Sequence, residues 1–208
     1  MDSKKVRDRT PEELLVKKNE FLKICDILDQ LNINYFLQTG VLLGAIREKN
    51  FFKWDWGVDI SVFSNELFHK IDPLTEMLRN AGFKILSINK KKDDLKIFFK
   101  GKFPLEVTGY TVFGWNYSKT KDIYWRTDYS VPSKFLNNFS TVELFGRKFK
   151  CPYMPEEYLT YAYGDWKKPI RTSDKNLYNA DNYYNKKNHF LRNLKKKIKN
   201  KIYSLFNN

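Results

Sequence analysis

Histidine is almost missing from this chain of 208 residues: His69 and His189 are the only two. Neither has a neighbour that suits a metal or a nucleophile, so no Ser/His/Asp or Cys/His relay is assembled. Cysteine is equally scarce. Cys25 and Cys151 have no metal-ligand spacing and are expected as free, buried thiols, which points to a reducing compartment. No hydrophobic run approaches the roughly 20 residues a membrane-spanning helix needs. The opening MDSKKVRDRT lacks an apolar core, so no secretory signal is expected. No internal repeat is visible.

Aromatic residues and positive charge are what the chain has in excess. Seventeen Phe, thirteen Tyr and five Trp are enough for a sizeable core or for a pocket lined by stacking rings. The formal net charge of +14 invites a nucleic-acid reading. Its distribution argues against one: eight Lys or Arg and no acid fall between Lys186 and Lys201, leaving +6 elsewhere. Within that tail Phe190, Leu191, Leu194, Ile198, Ile202 and Leu205 recur every three or four residues among lysines. This basic amphipathic pattern suits either an anionic membrane surface or a helix packed on the domain. The length suits one domain, 1–185, followed by a tail, 186–208.

The segment Thr10-Pro11-Glu12-Glu13 has the form of a capped helix start. Leu14, Phe21, Ile24, Cys25, Leu28 and Leu31 continue it at helical spacing. Next come a short strand from Tyr35 to Thr39, a glycine turn at Gly40 and a short helix from Val41 to Arg47. Val58 to Phe63 alternates as a strand. A helix follows with Leu67, Ile71, Leu74 and Leu78 inward, broken or restarted at Asp72-Pro73. Three strands are expected at Phe83–Ile88, Leu95–Lys100 and Leu105–Phe113, then a hairpin over Thr141–Cys151 and a helix over Pro155–Tyr163. Trp115 to Asn138 is aromatic and shows no regular pattern. The class is α+β, with a central mixed β-sheet flanked by helices and a C-terminal basic amphipathic helix.

The chemistry-bearing residues cluster between Phe36 and Phe63. Gly40, between strand and helix, either makes a tight turn or lets a phosphate approach the N–H groups of a helix N-terminus. Asp55 and Asp59 lie at strand spacing on one face. Asp59 is followed by Ile60, Val62 and Phe63, and a carboxylate in an apolar strand needs a metal or a hydrogen-bond donor. Glu106, in Pro104-Leu105-Glu106-Val107, has the same character. If its strand neighbours that of Asp59, the two carboxylates can share a Mg²⁺. Arg47 is either a bidentate phosphate clamp or a helix-end cation. Trp54, Trp56 and Trp115 form either core or an aromatic box for a quaternary ammonium or a base.

Two ordered blocks then carry a resemblance. Gly40-Val41-Leu42-Leu43-Gly44-Ala45-Ile46-Arg47 and Phe51-Phe52-Lys53-Trp54-Asp55-Trp56-Gly57-Val58-Asp59-Ile60 resemble the family pattern GTLLGAVRxxGFIPWDDDIDI of LicD/fukutin-like phosphotransferases, within the nucleotidyltransferase superfamily. Pro155-Glu156-Glu157-Tyr158-Leu159 and Tyr163-Gly164-Asp165-Trp166 resemble a second stretch typical of that family. The likeness extends over roughly residues 12 to 170. It implies a nucleotidyltransferase-like fold and metal-dependent transfer of a phospho-alcohol, phosphocholine or ribitol phosphate for example, from a CDP-activated donor to a hydroxyl of a cell-surface glycan. Asp59, Glu106 and Asp55 are the implied catalytic residues and ligands of Mg²⁺ or Mn²⁺. Gly40, Val41, Arg47, Trp54 and Trp56 are the implied substrate contacts. The implied location is cytoplasmic, peripheral at the inner membrane face through the tail.

The chain departs from the family at two positions. An acid usually stands where Gly57 is, forming an Asp-x-Asp pair with the position of Asp59, and a small hydroxyl residue usually stands where Val41 is. In a regular strand four residues span about 13 Å, so Asp55 is not expected to replace the missing acid unless the chain bulges at Gly57. The expected ligands shrink to Asp59 and Glu106, with Asp55 at the mouth. A degenerate protein that binds nucleotide or glycan is the second expectation. An RNA nucleotidyltransferase is the third, ranked last because no RNA-reading motif is present.

Overall fold

The computed structural model describes residues 8–55, 57–91, 94–101, 109–172, 174–180, 182–187, 190, 191, 194 and 198. The first helix, α1 (Pro11–Gln30), starts at a complete capping box: Thr10 Oγ1 accepts from Glu13 N at 3.3 Å, and Glu13 Oε2 accepts from Thr10 N at 2.8 Å. Its apolar stripe buries Phe21, Ile24, Cys25 and Leu28. Lys17 lies on the same stripe and is fully buried with it.

After β1 (Tyr35–Leu37), α2 (Thr39–Arg47) begins two residues earlier than expected, so Gly40 lies in its first turn rather than before it. Strand β2 (Gly57–Phe63) feeds α3 (Ser64–Asn80). That helix runs unbroken through Pro73, contrary to the expected break. Thereafter come β3 (Lys84–Lys91), β4 (Asp94–Lys100) and β5 (Gly109–Ser118). The aromatic stretch without a sequence pattern is regular after all. It continues β5 and then forms a hairpin, β6 (Ile123–Arg126) and β7 (Tyr129–Pro132), followed by a 3-10 turn at Ser133–Phe135. Its rings hid the alternation, because both faces of these strands carry aromatic side chains. A separate hairpin, β8 (Phe139–Leu144) and β9 (Arg147–Pro152), precedes α4 (Pro155–Tyr163) and the one-turn α5 (Lys175–Tyr178).

Among the described residues the main sheet has the order β1-β2-β5-β4-β3, with β6 and β7 continuing from β5. The β2–β5 pair is parallel and the others are antiparallel, so the sheet is mixed, as expected. Its two faces differ. Val58, Ile60, Val62, Tyr110, Val112, Ile97 and Phe99 are fully buried on one face, in the core shared with α1 and α3. The register places Asp59, Thr111 and Phe98 in one row of the other face, and Ser61, Phe113 and Lys96 in the next. Both cysteines are free and buried, as expected, and burial pushes each thiol up to about 12. No helix among the described residues is long and apolar enough to cross a membrane. Of the tail's apolar series, Phe190, Leu191, Leu194 and Ile198 are helical and exposed, whereas Ile202 and Leu205 lie outside the described residues.

Candidate active site

The polar face of the sheet forms the floor of a cavity of about 570 Å³, a volume in the range of small-molecule sites. Gly57 and Asp59 enter it from β2, Lys96 and Phe98 from β4, and Phe113 from β5. The first turn of α2 contributes Thr39, Gly40 and Val41. Two residues of the cavity have left-handed backbones. Thr39 has φ +52° and Thr127 φ +47°, left-handed values that are unfavourable for β-branched residues, and both line the cavity.

Asp55 is not on the strand. β2 begins at Gly57, and Asp55 occupies the turn before it, where its Oδ1 accepts from Gly57 N at 3.2 Å. The spacing argument that set Asp55 about 13 Å from Asp59 along a regular strand therefore does not apply, and both carboxylates line one cavity. Gly40 explains how Asp55 fits. A Cβ at position 40 would stand 3.0 Å from Asp55 Oδ2, so glycine makes room for that carboxylate against the first turn of α2. Negative charge is favoured there by the helix dipole. Gly57 itself pairs in regular register with Gly109, without a bulge. Among the described residues a Cβ there would meet only the Gly109 carbonyl oxygen, at 4.0 Å, so they leave room for a side chain.

Two buried cations hold the Asp55 turn from beneath. Lys17 Nζ donates to the Asp55 carbonyl at 2.8 Å, and Arg9 Nε donates to the same oxygen at 3.1 Å. Burial lowers the Lys17 ammonium from its ordinary value to about 8, against the opposing fields of Asp55 and Asp59. Sequence reasoning missed Lys17. The signal was a lysine four residues before Phe21, on the buried stripe of α1.

The other expected contacts divide. Arg47 lines the cavity, donates from Nη1 to the Trp166 carbonyl at 3.3 Å and stacks on Phe52 at 5.0 Å. Trp54 lines it too, stacked on Phe52 at 5.2 Å. Val41 borders the cavity but is 2% exposed and packs mainly in the core. Trp115 is no part of an aromatic box. It is 1% exposed, and its Nε1 donates to Ser61 Oγ at 3.2 Å. Trp56 and Glu106 lie outside the described residues. The ring wall comes instead from tyrosines of the C-terminal segment, Tyr163, Tyr178, Tyr183 and Tyr184, with Tyr129 of β7. Among the described residues no group of three His, Cys, Asp or Glu side chains is placed to hold a metal ion. The carboxylates that line the cavity, and could serve as hard oxygen ligands, are those of Asp55, Asp59, Asp128 and Asp165; of these, Asp55 and Asp59 flank Gly57.

Residues 32–154 match the family model described as LicD/FKTN/FKRP, nucleotidyltransferase domain. This chain belongs to that family. The matched stretch contains Gly40, Arg47, Asp55, Gly57 and Asp59, whereas Lys17 precedes it and the tyrosine wall from Tyr163 onward follows it. No curated protein matches the chain. Among solved structures it is similar to the solution structure of the antibiotic-resistance factor ANT(2'')-Ia, at 14% identity over 79% of this chain and 80% of that one, with a TM-score of 0.48. The crystal structure of ANT(2'')-Ia in complex with adenylyl-2''-tobramycin matches at 14% identity over 70% and 75%, with a TM-score of 0.44.

In this LicD/FKTN/FKRP domain the burial of Lys17 predicts a pH effect. A lysine whose folded value lies below its unfolded one carries a penalty while charged. That penalty is fully present below about pH 8 and disappears as pH rises toward the unfolded value of 10.5. It amounts to roughly 3 kcal/mol. Lys17→Met removes the charge and leaves Arg9 on the Asp55 carbonyl. Urea unfolding in the presence of a chelator should show the stability difference between variant and wild type moving steadily in favour of wild type between pH 8 and 10, and constant below that window. Taking the difference cancels the buried tyrosines, which titrate in both proteins. A pH-independent difference would refute the assignment.

Proposed function

We propose that this transferase moves a phospho-alcohol from a CDP-activated donor to a glycan hydroxyl. The observation that carries the reading is the joint placement of Asp55, Asp59 and the α2 N-terminus on the floor of one cavity with a cationic and aromatic wall. In this reading the tyrosine wall takes the cytosine ring or the alcohol by stacking. Arg47 and the first turn of α2 face the diphosphate. Asp55 and Asp59 hold a single Mg²⁺ or Mn²⁺, which neutralises phosphate charge when bound. Two carboxylates backed by the buried Lys17 and Arg9 suit one weakly held ion better than a pair.

The reaction balances simply. The acceptor oxygen forms a bond to the phosphorus that bears the alcohol, the bond from that phosphorus to the bridging oxygen breaks, and CMP leaves. The proton of the acceptor hydroxyl passes to a carboxylate of the floor or to water. Positioning and charge neutralisation supply most of the catalysis in phosphoryl transfer, which suits a site with few reactive side chains. The expected result is release of CMP from CDP-choline or CDP-ribitol on addition of a glycan acceptor and Mg²⁺, followed by chromatography. Absence of CMP from every CDP-alcohol tried, with a folded protein, would contradict the reading. One observation favours a degenerate binding protein instead, namely the glycine at position 57, and that protein would bind CDP without turnover.

A further inference from the structure

The turn between β6 and β7 stands on the cavity opposite no expected residue, yet its chemistry is unusual. Arg126, at the end of β6, is 4% exposed and lines the cavity. Its guanidinium lies 3.7 Å from the Phe113 ring centroid, 4.9 Å from that of Tyr129 and 5.1 Å from that of Trp115. Its Nε has no hydrogen-bond partner among the described residues, and neither has the buried Oγ1 of Thr127. The Tyr183 hydroxyl, also on the cavity, lies against the guanidinium and the Tyr158 hydroxyl. Lys96 Nζ approaches the same Phe113 ring, at 5.7 Å.

Buried polar groups without partners are rare and each calls for an explanation. An ordinary structural cation–π contact explains the rings around Arg126 but not the unused donors. We infer that Arg126 and Thr127, with Lys96 nearby, form an anion subsite that takes the phosphates of the donor. The inference rests on the reading that the donor is a diphosphate. Rings on several sides fix the guanidinium plane, and a fixed fork binds phosphate bidentately with little entropy left to lose. Asp128, the second turn residue, also lines the cavity, and a guanidinium with five N–H donors serves a carboxylate and a phosphate together. In a chain with glycine at position 57, a fixed cation on the same cavity as Asp59 supplies charge neutralisation that an additional metal ion would otherwise provide.

The test uses inorganic pyrophosphate as probe, by calorimetry on the full chain in low salt with a chelator present. Wild type is expected to bind, Arg126→Gln at least about tenfold more weakly, and Arg126→Lys in between, because lysine keeps the charge but not the fork. Thr127→Val keeps the β-branched shape and removes only the hydroxyl, so it carries the test if Arg126→Gln fails to fold. It too should bind more weakly than wild type. Failure of wild type to bind pyrophosphate, or equal binding by wild type and both Arg126→Gln and Thr127→Val, would overturn the subsite. Running CDP, ADP and cytidine alongside separates the two claims. Arg126-dependent pyrophosphate binding with no preference for CDP over ADP would sink the cytidine donor and leave the subsite standing.

Discussion

Gly57→Asp is expected to bind Mn²⁺ about tenfold or more tightly than wild type, because ligand charge count sets the affinity of oxygen-rich sites. Asp55 and Asp59, two of the carboxylates on the cavity, have the buried Lys17 and Arg9 behind them. That pairing leaves little net negative charge to attract a divalent ion. A carboxylate at position 57 lies on the same face of β2 as Asp59, two residues away, where side chains stand about 6.6 Å apart along the strand. The described residues accommodate it: the nearest of their atoms to a Cβ there is a carbonyl oxygen at 4.0 Å, and the residue is in regular register. Folding stability should change by less than about 1 kcal/mol, since the substitution relieves glycine's backbone entropy and adds an exposed charge. Calorimetric titration with Mn²⁺ measures the effect. An unchanged titration would show that position 57 does not face the ion, and the geometry of the floor would need redrawing.

Asp59→Asn is expected to lower kcat/KM by about 100-fold or more while the fold survives. The substitution is isosteric and removes one charge from the middle of the floor. Asp59 is partly exposed, so no large desolvation accompanies the change. Its carboxylate also helps Lys17 stay charged, and the variant should shift that lysine further down. Turnover of CDP-alcohol and a thermal melt read the two parts separately. A variant with wild-type turnover would remove Asp59 from the machinery, and a collapsed melt would make its role structural.

Much of the fold was legible because its signals are local. The Thr10 to Glu13 capping box, the Gly146 hairpin and the α4 stop at Gly164 all stand where side-chain chemistry puts them. The β6–β7 hairpin was not, because strands lined with rings on both faces lose the period-two contrast that marks a half-buried strand. The site was legible in its motif residues, Gly40, Arg47, Asp55 and Asp59, which the fold brings to one cavity. Its supports were not. Arg9, Lys17 and Arg126 reach the site from distant points in the chain, and only tertiary packing reveals a buried cation. The placement of Asp55 also depended on a turn closed by its own side chain, which strand spacing misjudged.

The central claim is that Asp55 and Asp59 still hold a metal-assisted site for a cytidine diphosphate despite Gly57. The direct measurement is calorimetric binding of CDP to the wild-type chain, with and without Mn²⁺. The account predicts binding that strengthens when Mn²⁺ is present. Binding that is absent in both conditions, or unchanged by Mn²⁺, would contradict it.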